Sequence, residues 1–220
     1  MSDSVQVQVE ARRALERALA PGVTADDLMM NLLPVLHRPH ARASRLWVAA
    51  PVTIRINLQG TVDEIWDVTL RDGEISVARG TVVQSPFLIL TVGASDWYGV
   101  KAFLEAFEDE LGNLLQWNPP PPRRPLDAAT IAALASLDAG LDFVLHDLFS
   151  DGDARASLTI GGTAQRGTVR IAADTGDLED VLDGVTSPLE LWRDGRLRIS
   201  GDTGLLARLG TVLAPILPGH

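Results

Sequence analysis

Four histidines are the first groups in this 220-residue chain to weigh for chemistry, because it contains no cysteine. His37 and His40 stand three apart in a His-Arg-Pro-His run. Two imidazoles at that spacing on a helix would share a metal ion. Pro39 between them disturbs helical geometry, however, and no third ligand lies near in sequence, whereas a metal centre needs several ligands and groups behind them to orient them. No metal site is expected here. His146 lies beside Asp147 among apolar residues at helical spacing, which predicts a partly buried imidazole hydrogen-bonded to a neighbour. His220 is the last residue.

The acidic run Asp151-Gly152-Asp153 resembles a piece of a calcium loop. Arg155 and Ser157 occupy the next ligand positions and no glutamate closes the loop, so turn chemistry accounts for it better. Gly161-Gly162 is a turn, since no lysine follows where a phosphate loop requires one. No Gly-x-Ser-x-Gly elbow is present. The absence of cysteine excludes disulfides, zinc–thiolate centres and thiol nucleophiles. Asp and Glu number 29, and nothing singles out one pair as acid and base. The chain is therefore expected to be no enzyme, with no catalytic residue and no cofactor. A deep polar cleft bringing His146 together with two convergent carboxylates would be the sign to the contrary.

Composition narrows the partners. The formal net charge is −10 and the isoelectric point about 4.8. Phosphate backbones must be neutralised by Lys and Arg, so nucleic acid is not an expected partner, and neither is an anionic membrane surface. No run approaches the roughly 18 apolar residues of a membrane span, so no stable membrane insertion is expected. The first twenty residues lack a basic start followed by an apolar run, which predicts no secretory leader and a cytoplasmic location. A chain of this length buries roughly 70% of its unfolded surface, enough for a core without staples.

The elements that must position any site follow from periodicity. Val5, Val9, Ala14, Leu15 and Leu19 predict a first helix, ended by Pro21-Gly22. Thr24 caps a second, with Leu28, Leu32, Leu33 and Leu36 on its apolar face and Pro34 expected to kink or stop it. Residues 53–59, 65–71 and 75–77 alternate polar and apolar, with Asp72-Gly73 as a hairpin turn, and 86–92 is apolar almost throughout, suiting a central strand. Together they predict a four-stranded antiparallel sheet. Ser95-Asp96 should cap a long amphipathic helix, from Trp97 through Val100, Leu104, Phe107, Leu111 and Leu114 to Trp117. A stiff Pro-rich segment, 118–125, follows. Asp127 should cap another helix through Ile131, Leu134, Leu141, Leu145 and Leu148. Strands around Leu158–Ile160 and Val169–Ile171, a helix at 177–184, a capped helix starting at Ser187-Pro188, a strand at Leu197–Ile199 and a last helix with Leu205, Leu206, Leu209 and Val212 complete the chain. Residues 89–107 and 169–185 echo each other as strand, polar cap and helix, and Arg-Asp-Gly occurs at both 71–73 and 193–195.

Three stretches then carry a family pattern. Residues 53–80 (TIRINLQGTVDEIWDVTLRDGEISVARG), 86–98 (PFLILTVGASDWY) and 177–209 (DLEDVLDGVTSPLELWRDGRLRISGDTGLLARL) resemble the opening strands, the strand with its capped helix, and the ending of the sterol carrier protein type two family. The run GRLRISGD at 195–202 is the most specific of these. A family domain is about half as long as this chain, so the resemblance implies either a helical insertion or two divergent half-domains in tandem. The tandem reading divides the chain into 1–117, a linker at 118–126, and 127–220.

The resemblance implies an α+β fold, a mostly antiparallel or mixed sheet covered by helices, with a helical hairpin joining the halves. It implies binding or transfer of a fatty acid, fatty acyl chain, sterol or phospholipid in an internal apolar tunnel, with no catalysis. Apolar sites leave no polar motif to find. Trp97, Leu104, Leu182, Leu189, Trp192, Leu205 and Leu209 are the expected lining, and the helix at 203–214 the expected gate. The alternative is a homodimeric interaction module with a filled tunnel, its helices at 96–116 and 127–149 packing against a second copy.

Overall fold

The computed structural model describes residues 3–105, 108–115, 120–148, 152–162 and 167–216. Phe107, Trp117, Asp151 and His220 lie outside them, as does the side chain of Leu114. A first helix α1 (Asp3–Leu19) leads into a helical run of α2 (Ala25–Asp27), a π turn (Leu28–Leu32), α3 (Leu33–His37), a tight turn (Arg38–His40) and α4 (Ala41–Trp47). Strands β1 (Val52–Gln59), β2 (Glu64–Arg71), β3 (Glu74–Arg79) and β4 (Leu88–Gly93) precede α5 (Ala94–Glu105) and α6 (Glu108–Leu114). Next come α7 (Ala128–Ala135), β5 (Ala139–His146), β6 (Ala154–Ile160), β7 (Thr168–Asp174), α8 (Thr175–Leu182), α9 (Pro188–Arg193), β8 (Arg198–Gly201) and α10 (Thr203–Leu213).

The eight strands form one mixed sheet in the order β3-β2-β1-β4-β6-β5-β7-β8. Its register explains its two faces. One row crosses the sheet as Trp66, Ile56, Leu90, Leu158, Leu141 and Val169. The next row, one residue along, reads Asn57, Thr91, Ser157, Asp142, Arg170 and Ser200. Because strand side chains alternate, the first face is apolar and the second polar. The apolar clusters beneath the helices all draw on the first face.

The two halves of the sheet repeat one topology. β1 and β2 pair antiparallel, β4 lies parallel to β1, and α5 follows. β5 and β6 pair antiparallel, β7 lies parallel to β5, and α8 follows. The echo between 89–107 and 169–185 falls on the matching β4–α5 and β7–α8 units. The two Arg-Asp-Gly triplets do not match, since one turns β2 into β3 and the other joins α9 to β8. Pairing of β4 with β6 fuses the halves.

Three sequence expectations are corrected. The first four strands are not all antiparallel, because β4 reaches β1 by a crossover and pairs with it in parallel. Residues 127–149 are not one helix. Asp127 caps α7, accepting from the Thr130 amide at 2.8 Å, but Asp138 takes a left-handed φ of 45° and the chain continues as β5. Leu141 and Leu145 fit a helical stripe, yet Ala139, Leu141, Phe143 and Leu145 also alternate with Gly140, Asp142, Val144 and His146, and sheet pairing decides for period two. No helical hairpin therefore joins the halves among the described residues. Pro34 does not stop its helical run, which continues through it to His37. The Leu33 amide bonds to the Leu28 carbonyl, five residues back, so the ladder shifts register just before the residue that has no N–H to give.

Local chemistry matches the remaining elements. Asp72 and Gly73, with φ of 53° and 81°, form the hairpin turn between β2 and β3. A Cβ on Gly73 would stand 2.3 Å from the Ala41 carbonyl oxygen, so the hairpin docks on α4 only with glycine there. Thr24 Oγ1 accepts from the Asp27 amide at 3.1 Å. α5 opens at Ala94, which places Ser95 and Asp96 in its first turn.

Candidate functional site

A cavity of about 470 Å3 lies between the apolar face of the sheet and helices α5, α8 and α9, within the usual range of small-molecule sites. Leu90 and Val92 of β4, Phe143 and Leu145 of β5, and Ile171 of β7 form its floor with three alanines, Ala154, Ala156 and Ala173. Trp97 and Val100 of α5, Leu178 and Val181 of α8, and Pro188 and Leu191 of α9 form its roof, and Leu197 closes one side. Among the described residues of this lining Arg155 is the one that carries a charge. The space exists because the strands present methyl groups where the helices stand over them. At the corresponding place in the first half, Trp66 and Met29 pack beside Trp97, leaving no room for a water molecule.

The roof is held by caps and one arginine. Asp174 and Asp177 form a capping box at the start of α8, and Ser187 and Glu190 form another at the start of α9. Hydrogen bonds from Ser187 keep the Glu190 carboxyl below its ordinary pKa. Arg196, just after α9, pairs with Asp180 at 2.8 Å and with the buried Asp177, and these contacts raise its already high pKa. The amides of Val185 and Thr186 both donate to the Asp180 carbonyl. Leu191 is the buried residue of α9, whereas Leu189 and Trp192 are 53% and 55% exposed on the same helix.

The seven residues singled out from sequence divide accordingly. Trp97 lines the cavity. Leu104 and Leu182 pack together with Phe103, Leu148 and Ala154, beside the cavity residues Val100 and Leu178. Leu189 and Trp192 flank the lining residues Pro188 and Leu191 but face outward. Leu205 and Leu209 are buried elsewhere, in the cluster that α10 forms with Leu134, Ala139, Ile160 and Val169. No residue of α10 lines the cavity, because its apolar stripe is spent on that filled core. The sequence reading missed the strand floor, whose signal was the small-residue run Ala154-x-Ala156 within a strand.

The polar face of the sheet holds a second, smaller groove of about 340 Å3, along β5, β6 and β7. His146 Nδ1 and Asp153 Oδ1 are 2.8 Å apart there, and this contact keeps the Asp153 carboxyl below its ordinary pKa. Ser157 Oγ donates to Asp142 Oδ1 at 2.9 Å. Asp142 and His146 sit four residues apart on one strand, roughly 13 Å at strand rise. Two carboxylates therefore do not converge on the imidazole. His37 Nε2 bonds to the Gly73 carbonyl at 3.1 Å, and burial, partly offset by that bond, lowers its pKa. Among the described residues no group of three or more His, Asp and Glu is arranged to hold a metal ion. No described helix is long and apolar enough to cross a membrane.

Comparison with known proteins agrees with this geometry. Residues 131–214 match the model of the SCP-2 sterol transfer family. The match runs from α7 to the end of α10 and takes in most of the cavity, while Leu90, Val92, Trp97 and Val100 come from outside it. No curated protein matches the chain. In its strands and its capped helices, the stretch 131–214 is thus similar to the SCP-2 sterol transfer family.

Proposed function

We propose that this protein holds a lipid in the cavity beneath α5, α8 and α9 and delivers it without chemically altering it. The observation that carries this reading is the lining, whose described residues are all apolar apart from Arg155. Each methylene moved from water into such a space contributes about 0.8 kcal/mol, so an acyl chain needs no polar anchor inside. The family match supports the same class of ligand. α9 is the movable part of the roof: six residues long, it is fixed chiefly through Leu191 and the Arg196 contacts.

Residues 1–117 and 127–220 are, on this reading, two divergent halves of one ancestral unit. The repeated strand topology supports it. The first half then serves as a scaffold, its own space filled by Trp66 and Met29, and lends Trp97 to the second. The dimeric alternative rested on two long helical stripes, and the second of these is α7 followed by a strand.

Titrating delipidated protein with a pyrene-labelled fatty acid tests the proposal. Saturable one-to-one uptake, competed by unlabelled fatty acid or sterol, is expected. No uptake by monodisperse protein would overturn it.

A further inference from the structure

From the groove on the polar face of the sheet we infer a second binding site, for a small organic oxyanion, a carboxylate or phosphate ester, held by Arg155 and Arg170. Each of its acidic groups already has a partner within the groove. Asp142 accepts from Ser157 at 2.9 Å, and Asp153 is 2.8 Å from His146. Its cationic groups are not. Arg170 lies directly across β5–β7 from Asp142, yet it is exposed and makes no hydrogen bond or ion pair among the described residues. Arg155 touches only Asp153, at 3.5 Å, and is 71% exposed. Arg198, on the same face, is by contrast taken by Asp174 at 2.7 Å.

The guanidinium N–H groups left without a partner are donors, and they call for a ligand that supplies acceptors. Guanidinium forks suit carboxylate and phosphate oxygens in particular. Between the arginines the floor is Val144 and Ala172. Their short side chains make the hollow and offer apolar contact to a carbon skeleton. An unpaired arginine beside one held only by a 3.5 Å contact also stands out on a chain of net charge −10. In the first half, the comparable polar face is closed: Arg55 is paired with Asp67, and the Val82 and Val83 amides of the β3–β4 connection cover the pair.

The groove opens on the opposite face of the sheet from the apolar cavity, with which it shares Phe143, Val144, Arg155 and Ala156, and the inference does not depend on the lipid reading. Amide NMR of the full chain, titrated with inorganic phosphate and separately with benzoate, tests it. Saturable shifts at Val144, Ala156, Arg170 and Ala172 are expected with at least one probe, stronger for benzoate if the floor contributes. Arg170→Gln, at a residue of the groove that does not line the apolar cavity, should weaken binding about tenfold or more while leaving uptake of a pyrene-labelled fatty acid unchanged. Absence of saturable shifts with both probes would overturn the inference, as would shifts that saturate unchanged in Arg170→Gln. Loss of fatty-acid uptake in wild-type protein would count against the cavity proposal alone.

Discussion

Arg55 grips Asp67 through two parallel hydrogen bonds, Nε to Oδ1 at 2.8 Å and Nη2 to Oδ2 at 3.1 Å, with the carboxylate 2% exposed. The amides of Val82 and Val83 each donate to Asp67 Oδ2 at 2.8 Å. The cross-strand pair thereby also fixes the connection between β3 and β4. Burial alone would raise the Asp67 pKa, but the Arg55 bonds and the two amides outweigh it and hold the carboxyl below its ordinary value. Replacing Arg55 by Ala leaves that charge buried alone and should cost about 3 kcal/mol in urea unfolding.

The same group sets a pH dependence. A carboxyl more acidic in the folded than in the unfolded state stabilises the fold above the unfolded value, about 4, and loses that contribution as pH falls through the folded value. Urea melts of wild type and Asp67→Asn should therefore differ most near pH 7 and converge progressively below pH ~4. A constant difference at every pH would place the stabilisation elsewhere.

The two apolar regions on one sheet face should respond in opposite ways. Leu205 is fully buried in the filled cluster under α10, so Leu205→Ala should cost about 2–5 kcal/mol while ligand uptake per folded molecule is retained. Ala156 faces the cavity. Ala156→Leu should leave the melting temperature equal or higher and weaken fatty-acid binding about tenfold or more, some 1.4 kcal/mol. Calorimetry and probe titration on both variants check the pair.

Arg196 is the fastening of the roof. Arg196→Ala leaves the buried Asp177 without its guanidinium and should cost about 1–3 kcal/mol. Hydrogen exchange should accelerate selectively across 183–197, and ligand release should quicken with it. Unchanged exchange there would mean that α9 is held by Leu191 alone.

Among the described residues Trp97 is the tryptophan in the cavity lining, whereas Trp192 is exposed and Trp66 is sealed in the first-half core. Emission changes on ligand uptake should be largely abolished by Trp97→Phe and preserved by Trp192→Phe.

Much of the fold was legible because local signals and tertiary demands agreed. Asp72-Gly73 has to turn, Ser187-Pro188-x-Glu190 has to start a helix, and GRLRISGD leads through a strand to the Asp202 cap of α10. Residues 139–146 failed that test. Their leucines satisfy a period of 3.6 as well as of 2, and only pairing with β6 and β7 chooses between them. Parallel pairing of β4 with β1 is likewise invisible locally, since no turn signal records a crossover. For the site, large apolar residues drew attention, as they do in any core, but a cavity forms where side chains are small. Ala154, Ala156 and Ala173 carry that information, and it emerges only when the register places them together under the roof.

Native mass spectrometry of the gently purified full chain tests the central claim most directly. The account predicts a co-purifying lipid at one per chain, lost on delipidation, restored by added fatty acid or sterol, and reduced in Ala156→Leu. A wild-type chain that carries no ligand and takes up neither added lipid would contradict it.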